Sequence, residues 1–185
     1  TSDSGRSAQT DPSAPWNASS TMKITPMIFD GTTYQPRPAV IVDSPYEGDA
    51  VLSPSGQLVA SRLAGPEGRS LGFSVRRVNA TRFGDSYRIT LSDPLATICT
   101  PGAKVSFSFD ERFMVTHHHD GSRTNLVLFD LLDGSAHTLT NMPENMRAIF
   151  PHFRSDGWIY FLVMDNENNR EFVAASDAAL ELAGR

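Results

Sequence analysis

Five histidines are the side chains in this sequence best suited to chemistry, and three of them are consecutive, His117-His118-His119. They follow the apolar run Phe113-Met114-Val115, which reads as a strand. Side chains alternate between faces along a strand, so His117 and His119 share one face while His118 points to the other. A His-x-His pair joined by a third ligand suits zinc or copper, both of which take imidazole nitrogen. His152 is the candidate third ligand, and His137 and Asp120 also stand close in sequence. The competing role for all of them is hydrogen bonding to turns along the rim of a sheet.

Motifs for nucleophilic catalysis fail on context. Gly68-Arg69-Ser70-Leu71-Gly72 has the spacing of a nucleophile elbow, but that elbow needs a strand before it and a helix after it. Here a Pro-Glu-Gly loop precedes, and the strand-like Phe73-Ser74-Val75-Arg76-Arg77-Val78 follows. Gly84-Asp85-Ser86 reads as a hairpin turn. Cys99, the single cysteine, has no adjacent basic residue to lower its thiol pKa and allows no internal disulfide. Asp165-Asn166-Glu167-Asn168-Asn169 offers oxygen atoms without a recognised calcium loop, and reads as a polar hairpin tip. No catalytic residue and no bound cofactor is therefore expected, the histidine metal site standing as the alternative.

Charge is unevenly spread. Arg62, Arg69, Arg76, Arg77, Arg82 and Arg88 face only Glu67 and Asp85 in their stretch. From Asp93 to Arg185 the balance reverses, with 13 acidic residues against 7 basic ones. Such asymmetry can orient a protein on a partner of complementary charge, so Arg76, Arg77 and Arg82 are expected partner contacts. The net charge of −5 argues against nucleic acid as that partner. No apolar run approaches the roughly 18 residues a membrane-spanning helix needs.

These residues must be carried by strands. Residues 1–21 are rich in Ser, Thr, Ala, Pro and Asp, with Trp16 as their one large apolar side chain. That stretch cannot offset its ordering entropy by burial, and is expected to be a flexible or extended arm touching a partner through Trp16. A start at Thr1 rather than Met fits a chain trimmed after synthesis, a cleaved signal peptide being one explanation. From Met22 to Arg185, short apolar runs alternate with turn residues such as Asp30-Gly31, Gly84-Asp85, Asp120-Gly121 and Asp133-Gly134. Only residues 177–183 have helical character.

Three segments repeat. Residues 50–60, 105–115 and 151–161 align on Gly56, Glu111 and Gly157, at intervals of 55 and 46 residues. Their turns occupy residues 53–56, 108–111 and 154–157. Between the last two copies, residues 124–141 supply a third strand, an Asp-Gly turn and a fourth strand, so one unit is a four-stranded antiparallel blade.

Ser53-Pro54-Ser55-Gly56, Ser108-Phe109-Asp110-Glu111 and Arg154-Ser155-Asp156-Gly157, with Asp130, Gly134 and the closing Leu139-Thr140-Asn141, resemble the TolB-like (PD40, WD40-related) β-propeller repeat. The resemblance covers residues 49–176. It implies an all-β fold of about three propeller-type blades, short of the four to eight that usually close a ring. An unclosed arc leaves apolar blade faces to be covered, by self-association, by another chain or by the rest of a longer propeller. The resemblance also implies a bacterial envelope location, periplasmic or extracellular. The expected function is a non-catalytic interaction or scaffold module in a larger extracytoplasmic assembly. The alternatives are the His117/His119 metal site and an accessory domain of a hydrolase.

Overall fold

The computed structural model describes residues 2–3, 21–43, 47–64 and 70–184. The chain divides into two compact units, Thr1–Leu52 with Gly56–Cys99, and Ser53–Ser55 with Thr100–Arg185.

The first unit begins with β1 (Ser2–Asp3) and β2 (Thr21–Ile24), followed by a hairpin of β3 (Met27–Phe29) and β4 (Tyr34–Pro36), and then β5 (Val40–Asp43). β2 lies between β1 and β5 in a small antiparallel sheet. Ser2 and Asp3 thus pair with Met22 and Thr21, while residues 4–20 of the expected arm, Trp16 among them, lie outside the described residues. The β3–β4 turn is tied by the Asp30 carboxylate, which accepts from the Thr32 and Thr33 amides at 2.9 Å each and from Gln35 Nε2 at 3.0 Å. Those donors, the Thr33 amide foremost, favour the charged form and lower the Asp30 pKa to about 2.

A four-stranded blade follows: β6 (Glu47–Leu52), β7 (Leu58–Ala64), β8 (Ser70–Phe83) and β9 (Ser86–Ile98), paired in sequence order. β7 stops pairing with β8 at Leu58–Arg77, so the distal half of the β8–β9 hairpin continues as a two-stranded ribbon. Its inner face carries Val78, Tyr87, Ile89 and Leu91. These pack with Val59 against Met22, Ile24 and Val42 of the small sheet. Burying one such side chain is worth about 1.5–3 kcal/mol, enough to hold a ribbon that lacks a third strand.

The second unit holds a second blade of β10 (Val105–Phe107), β11 (Phe113–Asp120), β12 (Arg123–Asp130) and β13 (Ala136–Thr138). A third blade has three strands, β14 (Met146–Phe153), β15 (Ile159–Asp165) and β16 (Arg170–Ser176), followed by the helix α1 (Ala178–Ala183). One parallel pair, Thr124 opposite Arg147, joins these blades along their edges. Their shared core contains Phe113, Val115, Leu126 and Leu128 from the second, with Ala148, Phe153, Ile159, Phe161 and Val163 from the third.

The repeat turns share one backbone requirement. Gly56, Glu111 and Gly157 have φ of 72°, 59° and 88°. That left-handed region is open to glycine and costs other residues about 1–2 kcal/mol. Aligned residues therefore occupy aligned conformations, with Glu111 the copy that lost its glycine. In the second turn, Ser108 Oγ accepts from the Phe113 amide at 2.9 Å and donates to Asp110 at 2.6 Å. In the third, Asp156 accepts from the Trp158 amide at 3.1 Å. The chain is all-β, with propeller-type antiparallel blades, and among the described residues none of its sheets closes on itself.

Candidate interaction surfaces

The histidines divide between the second blade, which carries His117, His118 and His119 on β11, and the third, which carries His152 on β14. His117, 3% exposed, lies edge-on to His119 with ring centroids 5.2 Å apart, and edge-on to Phe150 at 5.9 Å. Both histidines stand on the face of β11 that also carries Phe113 and Val115 of the shared core. His119 Nδ1 is 2.8 Å from Thr124 Oγ1, and His118 Nδ1 is 2.7 Å from the Pro101 carbonyl oxygen. Burial, then the charges of Arg147 and His118, lowers the His119 pKa.

His152 is elsewhere. It pairs with Tyr160 and stacks on that ring at 6.2 Å, on the face opposite Phe153 and Ile159. A bulge between Ile149 and His152, with Phe150 at a φ of 52°, reverses the alternation. Among the described residues no group of three His, Cys, Asp or Glu side chains is placed to hold a metal ion. The structure thus brings His117 and His119 together but carries His152 to the far face of its blade.

The elbow motif lies partly outside the described residues, at Gly68 and Arg69. Ser70 opens the strand β8, where an elbow requires a helix.

The arginines also separate. Arg76 Nη1 donates to the Ser92 carbonyl at 2.9 Å, holding the bulge in β9. Arg82 Nε donates to the Gly84 carbonyl at 2.8 Å, and its guanidinium lies 3.9 Å from Asp85. Both therefore brace the hairpin. Arg77 points out on the opposite face of β8, where Arg88 stacks over the Phe83 ring at 5.4 Å. Arg88 belongs to the basic stretch of the sequence, but only Arg76, Arg77 and Arg82 were expected there as partner contacts. Strand alternation, which puts Arg77 and Arg88 on one face, was the signal that could have found it.

A second pairing was half legible. Asp130 of the repeat motif is 4% exposed at its side chain, and its Oδ2 accepts from Arg112 Nε at 2.9 Å and Nη2 at 2.7 Å. The Leu132 amide donates to Oδ1 at 2.9 Å. The Arg112 guanidinium, ahead of the Leu132 amide, holds the Asp130 carboxyl below the usual range. This pair closes the second blade's turns.

Equivalent strands of successive blades differ most in burial. β12 is buried from Leu126 to Asp130, whereas in β16, the third strand of its blade, Phe172 is 51% and Val173 70% exposed. Phe172 shares the inner face with Val163, and Val173 shares the outer face with Leu162 and Tyr160. The end of the third blade is thus the largest run of uncovered apolar strand in the second unit.

No family model matches the sequence, and no curated protein does. Among solved structures, the tricorn protease is 14% identical with a TM-score of 0.43, over 68% of this chain and 12% of that one. The β-propeller domain of the Trilobed protease from Pyrococcus furiosus is 14% identical with a TM-score of 0.37, over 70% and 42%. TolB from Acinetobacter baumannii is 13% identical with a TM-score of 0.29, over 84% and 52%. The chain thus spans about an eighth to a half of the lengths of these proteins. By its own strand order and repeat turns, the chain is built of propeller-type antiparallel blades.

Proposed function

We propose that this chain is a non-catalytic protein-interaction module, a subunit of a larger assembly outside the cytoplasm. One observation carries the reading: Leu126 and Leu128 of β12 are buried in the core shared with the blade that follows, whereas β16 at the equivalent place presents Phe172 and Val173 to solvent. Covering such side chains is worth about 1.5–3 kcal/mol each, a contribution large enough to drive association. The extracytoplasmic location rests on the TolB-like repeat turns.

Sedimentation velocity and an apolar dye test this together, on the wild type and on Val173→Glu. The reading expects particles heavier than the 20.2 kDa chain, or a monomer whose third blade binds dye, with either property reduced by the substitution. A monomer that binds no dye, or behaviour indifferent to Val173→Glu, overturns it.

A further inference from the structure

The distal β8–β9 ribbon has one face that packs and one that does not. Val78, Tyr87, Ile89 and Leu91 take the packed side. Alternation therefore places Asn79, Thr81 and Phe83 of β8, with Arg88 and Thr90 of β9, on the other, and Arg77 at its root. All of these are exposed. Thr81 is directly opposite Arg88, so along the ribbon Arg77 and Arg88 stand four residues apart, about 13 Å at the rise of an extended strand.

The face is cationic without internal compensation. Among the described residues neither Arg77 nor Arg88 forms an ion pair, in contrast to Arg37, Arg62 and Arg82. The ribbon's two acids lie off the face: Asp85 sits in the turn, near Arg37 and Arg82, and Asp93 sits in the β9 bulge. Phe83, 55% exposed, supplies an apolar surface under the Arg88 guanidinium, which orders that side chain at low entropic cost.

We infer that this face docks an extended acidic segment of a protein partner, with carboxylates four residues apart meeting Arg77 and Arg88. The inference rests on the reading of the chain as an interaction module, and names the chemistry of one partner. Guanidinium matches carboxylate in a planar, two-bond geometry. Carboxylate peptide is favoured over nucleic acid because two uncompensated arginines on a chain of net charge −5 neutralise too few phosphates to hold a polyanion.

Fluorescence anisotropy tests it with the full chain and a labelled Gly-Ser peptide bearing two glutamates four residues apart. The same peptide with glutamines, and a short labelled DNA duplex, are the comparisons. The expected result is salt-sensitive binding of the glutamate peptide, weakened about tenfold in Arg77→Gln/Arg88→Gln and unchanged in Arg76→Gln. Equal binding of the glutamine peptide, no loss in the double variant, or tighter binding of the duplex overturns the inference. The Val173→Glu sedimentation and dye results do not depend on the ribbon. If they hold while peptide binding fails, this inference falls and the interaction module stands.

Discussion

Removing Arg112 should damage the second blade more than neutralising its partner Asp130 does. The carboxylate is nearly sealed, 4% exposed, while the guanidinium is 33% exposed and stacks on Phe113 at 4.7 Å. Arg112→Ala therefore strands a buried charge with only the Leu132 amide to satisfy it. Breaking a buried pair this way costs about 3–5 kcal/mol, and the lower end applies here because one hydrogen bond survives and water can enter beside Phe113. Asp130→Asn keeps an acceptor for the Leu132 amide and lets Arg112 turn to water. It loses charge-assisted hydrogen bonds worth about 1.5–3 kcal/mol. The expected order is Arg112→Ala worse than Asp130→Asn, by up to about 1.5 kcal/mol. Urea titration followed by Trp158 fluorescence, in a Trp16→Phe background, reads the second unit, which contains Trp158. pH gives an independent check on sign. In the wild type the Asp130 pKa is depressed, so its stabilisation is present above the unfolded value of about 3.9 and is lost as pH falls through the folded value. In Arg112→Ala the depression caused by the guanidinium is gone, so the variant loses less stability on acidification and its gap from the wild type narrows. A smaller cost for Arg112→Ala than for Asp130→Asn, or a gap independent of pH, refutes this account.

Three other outcomes follow from single residues. The His119 pKa is lowered by burial and by Arg147, so stability is full above the unfolded value of about 6.5 and falls as pH drops toward the folded one; His119→Phe should flatten the change in urea midpoint across that window. Gly157→Ala places a Cβ 2.4 Å from Leu180 Cδ2 at a φ of 88°, and should cost about 1–3 kcal/mol, with part recovered by adding Leu180→Ala, as read by thermal melting. Ser61 and Ser74 are opposed and buried, and among the described residues their hydroxyls have no hydrogen-bond partner; replacing either by Ala should be neutral, or stabilise the first unit by up to about 1 kcal/mol in the same assay.

The blade architecture was legible because its markers have a local cause. Gly56 and Gly157 report a backbone conformation that few other residues adopt, and Glu111 kept the position though not the glycine. Asp130 was legible as part of the repeat. Arg112 was not, because nothing in its own turn marks it as the partner of a residue eighteen positions on. Alternation correctly paired His117 with His119 on one face. The face that His152 takes was not legible, because an inserted residue in β14 exchanges the faces beyond it, so Ala148 and Phe153 line the core while His152 does not. The length of the β8–β9 ribbon depends on packing against β2 and β5, a long-range contact that no local pattern encodes.

Amide hydrogen exchange on β12 and β16, followed as protein concentration is raised, addresses most directly the idea that the third blade's last strand waits for a covering polypeptide. The account predicts that β12 is protected throughout, and that β16 exchanges fast when dilute and slows as particles grow beyond 20.2 kDa or as a partner is added. Protection of β16 equal to that of β12 in a dilute particle of 20.2 kDa would contradict it.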